Sequence, residues 1–180
     1  TYKAFRKKLE RLNFRLGSFG VLEKLDDAIG GLPTEYFVDS ATLLGLVRDG
    51  RLLPHERGLD IGVIATDEQK LEVDDALQDA AFRLKQTHVF EGRVVQCSYD
   101  SPAPMGRKPT GVNIAFYEVD TSRPKTWLFY LDPNIQLGPL ERSVVEICHS
   151  PVSTIVTIEV DSHTIPIPED AEQFLRDKYG

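Results

Sequence analysis

Cysteine is nearly absent: the 180 residues contain only Cys97 and Cys148, and the two form no C-x-x-C pair. That excludes a disulfide-stapled scaffold and a four-thiolate zinc site, and it leaves two reduced, buried thiols as the expectation. Long hydrophobic runs are missing as well. No apolar stretch approaches the ~18 residues that a membrane-spanning helix needs, and the N-terminus has no signal-peptide core. The expectation is a cytoplasmic domain with no membrane span of its own. Because the chain begins at Thr1, it suits a segment of a longer parent chain, with a partner domain or an anchor elsewhere. Basic runs are scarce, Arg6-Lys7-Lys8 being the longest, and the formal charge is −7. This argues against a nucleic-acid partner. There is no internal repeat, heptad or low-complexity tract.

Apolar residues make up 41% of the chain, enough for one domain with a substantial core. The expected layout is a single unit over 1–180, with N-terminal helices over 1–33 and a core over 34–180. Phe5, Leu9, Leu12 and Leu16 recur at helical spacing, so 2–16 reads as a surface helix whose Arg6, Lys7, Lys8 and Arg11 form a solvated face. A second amphipathic helix, Phe19 to Ile29, stops at Gly30-Gly31-Leu32-Pro33.

The stretch from Tyr36 to Val63 is the organising segment. Tyr36-Phe37-Val38 is aromatic and β-branched and reads as a buried strand, and Asp39-Ser40-Ala41-Thr42 follows as a helix start. The first turn of a helix presents unpaired N–H groups and the positive end of the dipole, which suits a phosphate, and Ser40 and Thr42 add hydroxyl donors. The helix is expected over Thr42 to Asp49, with Leu43, Leu44 and Val47 inward and Gly50 ending it. Leu59 to Ile64 reads as a second strand in which Asp60 points opposite to Leu59 and Ile61. A carboxylate there, facing a helix start, has the chemistry of a Mg²⁺ ligand beside a bound phosphate. Pairing with Arg48 is its competing, structural role.

Thr66-Asp67-Glu68-Gln69 has the form of a capping box opening a helix to about Ala81, with Leu71, Val73, Leu77 and Ala80-Ala81 inward. Phe82 to Phe90 and Arg93 to Tyr99 read as a hairpin through Glu91-Gly92. The proline-rich 100–109 segment reads as a loop, a plain hairpin connection in the first place and a mobile rim over the site as the alternative. Gly111 to Val119 and Trp127 to Leu131 form the next strand pair, and Pro133 to Val144 reads as irregular. Val152 to Val160 and Thr164 to Ile167 follow as strands, and Pro168 to Tyr179 as a closing helix. Helices first and then mostly strands indicate an α+β fold, a mixed sheet covered by helices.

Asp39, Ser40, Thr42, Leu43, Leu44, Gly45, Arg48, Pro54, His55, Asp60, Ile61 and Gly62 fall on the pattern D-S-G-T-L-L-G-x-x-R, spacer, I-P-H/W-x-x-D-x-D-I-G. Ile165 to Asp170, Phe174-Leu175 and Tyr179-Gly180 match a V-P-V-P-x-D…YL…YG ending. In both, the chain resembles the LicD/fukutin-like phosphotransferases. The resemblance implies a nucleotidyltransferase-like fold and transfer of a phosphoryl-alcohol, such as phosphocholine or ribitol phosphate, from a CDP-activated donor to a glycan hydroxyl, with Mg²⁺ on the pyrophosphate. It makes Asp60 a metal ligand, Ser40 and Thr42 phosphate donors, and Arg48 a phosphate or structural cation.

Three departures bear on that chemistry. Gly58 stands where the family has the first acid of D-x-D, Asn113 where it has a further strand acid, and Ala41 where it has glycine. Glu56 is the candidate replacement carboxylate, making Asp60 and Glu56 the expected catalytic and metal pair, and Asn113 a substrate-binding group. Two alternatives stand beside an active transferase. One is a weakened relative kept for binding a nucleotide, a glycan or a partner. The other is a different nucleotidyltransferase-fold enzyme, such as one adenylylating a small substrate. If position 58 faces the metal, Gly58→Asp is expected to raise metal affinity.

Overall fold

The computed structural model describes residues 17–53, 58–90, 92–119, 126–136, 142–149, 152 and 154–180. The helix expected over 2–16 and the Glu56 carboxylate lie outside these residues, as does His55. The first described helix, α1, covers 17–29 and buries Phe19, Leu22, Leu25 and Ile29, one stripe at three- and four-residue spacing.

Strand β1 (Glu35–Val38) leads into α2 (Ser40–Asp49), and β2 (Gly58–Ile64) returns antiparallel to β1. Helix α3 (Asp67–Asp79) follows, then the hairpin β3 (Arg83–Phe90) and β4 (Arg93–Asp100), and then β5 (Gly111–Val119). Strand β5 runs parallel to β2 in the middle of the order β1-β2-β5-β4-β3, while its other pairings are antiparallel. The sheet is therefore mixed. Its central parallel pair buries Leu59, Ile61 and Val63 against Val112, Ile114 and Phe116, the hydrophobic alternation that a covered sheet face requires. Val73 and Leu77 of α3 join the same core.

At its far end β5 pairs with β6 (Thr126–Gln136), which pairs in turn with β7 (Arg142–His149). The sequence pattern ends the sixth strand at Leu131 and places no strand over 142–149, where β7 lies. Strand β6 instead continues past Pro133 through a register shift between Asp132 and Gln136, an irregularity at which a strand tolerates proline. A separate hairpin, β8 (Ile155–Val160) and β9 (His163–Pro168), turns at Asp161 and Ser162, both with positive φ as a tight two-residue hairpin turn requires.

Three inward assignments need correction, one of them Ala81, which is exposed with φ 64° past the end of α3. Leu71 of α3 is exposed, and in α2 the buried face is Thr42, Leu43, Gly45 and Leu46 while Val47 is exposed. Helix α2 is rotated by about one residue from the expected face, with the polar Thr42 buried, whereas α3 keeps Val73 and Leu77 inward and buries Lys70 in place of Leu71. The capping box is present as expected: Thr66 Oγ1 accepts from Gln69 N–H, and Gln69 Oε1 accepts from Thr66 N–H.

The last helix, α4 (Ala171–Tyr179), seats Phe174 edge-on against Phe37, with ring centroids 5.5 Å apart, and Phe37 lies 5.4 Å from the ring of Tyr117. Gly62 sits beneath this aromatic group. A β-carbon there would come within 2.5 Å of the Phe37 ring and 2.9 Å of the Tyr117 ring. No described helix is long and apolar enough to cross a membrane.

Candidate functional site

Asp60, Asn113 and Ser98 occupy directly opposed positions on β2, β5 and β4, so the sheet register alone sets three polar side chains in a row. Ser98 Oγ donates to Asn113 Oδ1 at 2.9 Å, and Asn113 Nδ2 donates to Asp60 Oδ1 at 3.1 Å. All three are half-buried. The hydrogen bonds run one way, each amide or hydroxyl giving its proton toward the Asp60 carboxylate.

The start of α2 is fastened to the same residue. Asp39 N–H donates to the Asp60 carbonyl at 2.8 Å, and Asp60 N–H donates to Thr42 Oγ1 at 2.8 Å. Thr42 is buried, so its hydroxyl serves the strand–helix junction. Ser40, the first residue of α2, has φ 47°, a left-handed conformation uncommon for a residue with a side chain. Its N–H donates to Asp39 Oδ1 in a short contact.

Asp39 does more than cap. Its carboxylate is 1% exposed and accepts from Lys178 Nζ at 2.8 Å and from Tyr117 Oη at 2.8 Å. Burial, and then the adjacent Asp39 charge, push the Tyr117 phenol well above its ordinary range, so it remains a neutral donor. Lys178 and Tyr117 escape a sequence reading because they lie 139 and 78 residues from Asp39.

The expected site residues thus divide. Ser40, Thr42, Asp60 and Asn113 come together at one end of the β2–β5 pair. Arg48 does not join them: it lies in the last turn of α2 and holds Asp49 through two hydrogen bonds of 2.8 and 2.9 Å. The competing Arg48–Asp60 ion pair is therefore not made, and Asp60 takes Asn113 as partner. Gly58 pairs with Gly111 across the parallel ladder, and a β-carbon at 58 would approach the Gly111 carbonyl oxygen to 2.9 Å.

A family profile described as "LicD/FKTN/FKRP, nucleotidyltransferase domain" matches residues 34–170. The chain belongs to this family. The match spans the strand–helix–strand site and ends just before α4. Among solved structures, a Thermotoga maritima protein described as a candidate nucleotidyltransferase is similar at 14% identity, with a TM-score of 0.48, covering 91% of this chain and 84% of the other. No curated protein matches. Membership places this LicD-family domain in the phosphotransferase-like or nucleotidyltransferase-like class, and the α+β sheet with its helical cover is the corresponding domain.

For the Mg²⁺ that the family implies, the donor set is thin. Among the described residues no group of three or more His, Cys, Asp or Glu converges. Asp60 offers one carboxylate with Oδ1 already accepting from an amide, Asn113 aims a donor rather than an acceptor at it, and Gly58 offers nothing. Mg²⁺ takes six oxygens and commonly draws several from water and substrate phosphates. Among the described residues, Asp60 would supply one ligand, and the remaining oxygens would have to come from water and substrate phosphates.

Proposed function

We propose that this LicD-family domain binds a CDP-activated phosphoryl-alcohol and transfers the phosphoryl-alcohol to a glycan hydroxyl. The observation that supports this reading best is the pair of hydrogen bonds locking the first turn of α2 to Asp60, which brings a phosphate-accepting helix start and a lone acid to one place. Ser40 and the first N–H groups of α2 would hold the donor phosphates, and Asp60, with Glu56, which lies outside the described residues, would hold Mg²⁺. When bound, the ion would offset charge on the pyrophosphate and the leaving CMP. Thr42 keeps Asp60 in register with the helix, and Asn113, itself held by Ser98, fixes the carboxylate's orientation.

A second reading is favoured by one specific feature: the amide at Asn113 and the glycine at 58 remove two acids, leaving a site that binds better than it catalyses. In that case the domain is a nucleotide- or partner-binding relative with weakened transfer. Incubation with CDP-choline or CDP-ribitol, Mg²⁺ and a glycan acceptor separates the two by CMP release. Turnover that is lost in Asp60→Asn supports the transferase. Binding of the CDP ligand without CMP release supports the nucleotide-binding domain, and no binding at all rejects both the transferase and the nucleotide-binding reading.

A further inference from the structure

We propose that Lys178, in the last turn of α4, is a positioning residue for the donor site: its ammonium neutralises Asp39, so that the start of α2 keeps the positive potential a donor phosphate needs. This rests on the donor-binding reading above and names the group that holds that site electrostatically open.

The geometry carries it. The Lys178 and Asp39 side chains are 4% and 1% exposed and their charged atoms are 2.8 Å apart. So enclosed an ammonium is out of reach of a ligand and acts through Asp39. A helix start carries roughly half a positive charge, and a bare carboxylate at its cap would overturn that sign. Buried charges are screened little by salt, so the reversal would be felt by a phosphate at the neighbouring N–H groups. With Lys178 in place the buried pair has no net charge, while Asp39 still accepts from Ser40 N–H and Tyr117 Oη. Lys178 is fixed from other sides too: Nζ lies 3.4 Å from Tyr117 Oη and 5.8 Å from the centroid of Phe174, and it sits at the helix end where the dipole favours a cation. The end of the chain is thereby tied to the donor site.

The test is calorimetric titration of CDP with Mg²⁺, and separately of inorganic pyrophosphate, into wild type, Lys178→Met, Asp39→Asn and the double variant, with circular dichroism and urea midpoints measured on each. Charge compensation gives an order. Lys178→Met binds about tenfold more weakly, Asp39→Asn binds as tightly as wild type or tighter, and the double variant binds within about threefold of wild type. A purely structural pair would be broken alike by either single change, so equal weakening of Lys178→Met and Asp39→Asn overturns the assignment. Unchanged affinity in Lys178→Met overturns it too. Should Lys178→Met fail to fold, the double variant decides, and loss of binding there counts against the proposal. If wild type takes up neither ligand, the donor-site reading falls and this assignment with it. Wild-type binding that Lys178→Met leaves intact removes this assignment alone.

Discussion

At the scale of single residues, the site reads as a carboxylate positioned by donors. Asn113 donates a hydrogen bond to Asp60 where a second acid would repel it. Asn113→Asp should therefore lower the melting temperature in EDTA, through two adjacent carboxylates, and recover more than wild type does on adding Mg²⁺; equal metal response in both proteins would show that position 113 does not face the ion. Position 58 is a less simple repair than its sequence suggested, because any β-carbon there meets the Gly111 carbonyl at 2.9 Å. Gly58→Ala should cost about 1–3 kcal/mol in urea unfolding, a penalty that Gly58→Asp would also carry against any gain in metal binding. Gly62, legible only as a motif letter, has its reason in the Phe37 and Tyr117 rings lying over it. The phenol of Tyr117 gives a pH signature. Its folded pKa lies above the ordinary value near 10, so the stability it contributes is complete below that pH and declines as pH rises through the folded value. Tyr117→Phe should shallow the alkaline loss of stability above pH 10, measured as the slope of unfolding free energy against pH.

At the scale of elements, most of the strand–helix–strand unit was legible because its signals are local. The β-branched strand, the Asp-Ser turn, the Gly50 stop and the Thr66 capping box each depend on a few adjacent residues. The helix faces were less legible, since hydrophobicity alone could not show that Thr42 is spent on Asp60 N–H or that Lys70 is buried with its ammonium on Asp67. Helix α4 matters beyond its length: Phe174 closes the aromatic group over Gly62 and the same helix supplies Lys178. Phe174→Ala should cost about 3–5 kcal/mol, read from denaturant midpoints, and should loosen the donor site along with the core. A loss below 1 kcal/mol would mean that α4 is not a core element.

At the scale of the whole molecule, the α+β class followed from the order of elements, but the sheet order could not. Strand β5 comes to lie beside β2 only after a helix and a hairpin intervene, and that single parallel pairing is what puts Asn113 next to Asp60. Ser98 joins them through the antiparallel β4–β5 register. The polar row is thus a product of topology, with members at separations of 53 and 15 residues; the family pattern pointed to Asp60 and Asn113, and nothing in the sequence pointed to Ser98. Likewise the chain's last helix reaches the cap of α2. The motif pointed to Ser40, Thr42 and Asp60, which meet, and equally to Arg48, which turns to Asp49 instead; what it could not show was the pair, Lys178 and Tyr117, at the cap of α2. The most direct measurement is the melting temperature at a saturating CDP-choline or CDP-ribitol concentration, with Mg²⁺ and with EDTA, for wild type and Asp60→Asn. At a hundredfold excess over Kd the wild type should rise by roughly 5–10 °C with Mg²⁺, by clearly less in EDTA, and the variant should show no metal-dependent gain. Equal melting temperatures with and without the metal, or an Asp60→Asn protein that responds like wild type, would contradict a donor site built on the start of α2 and Asp60.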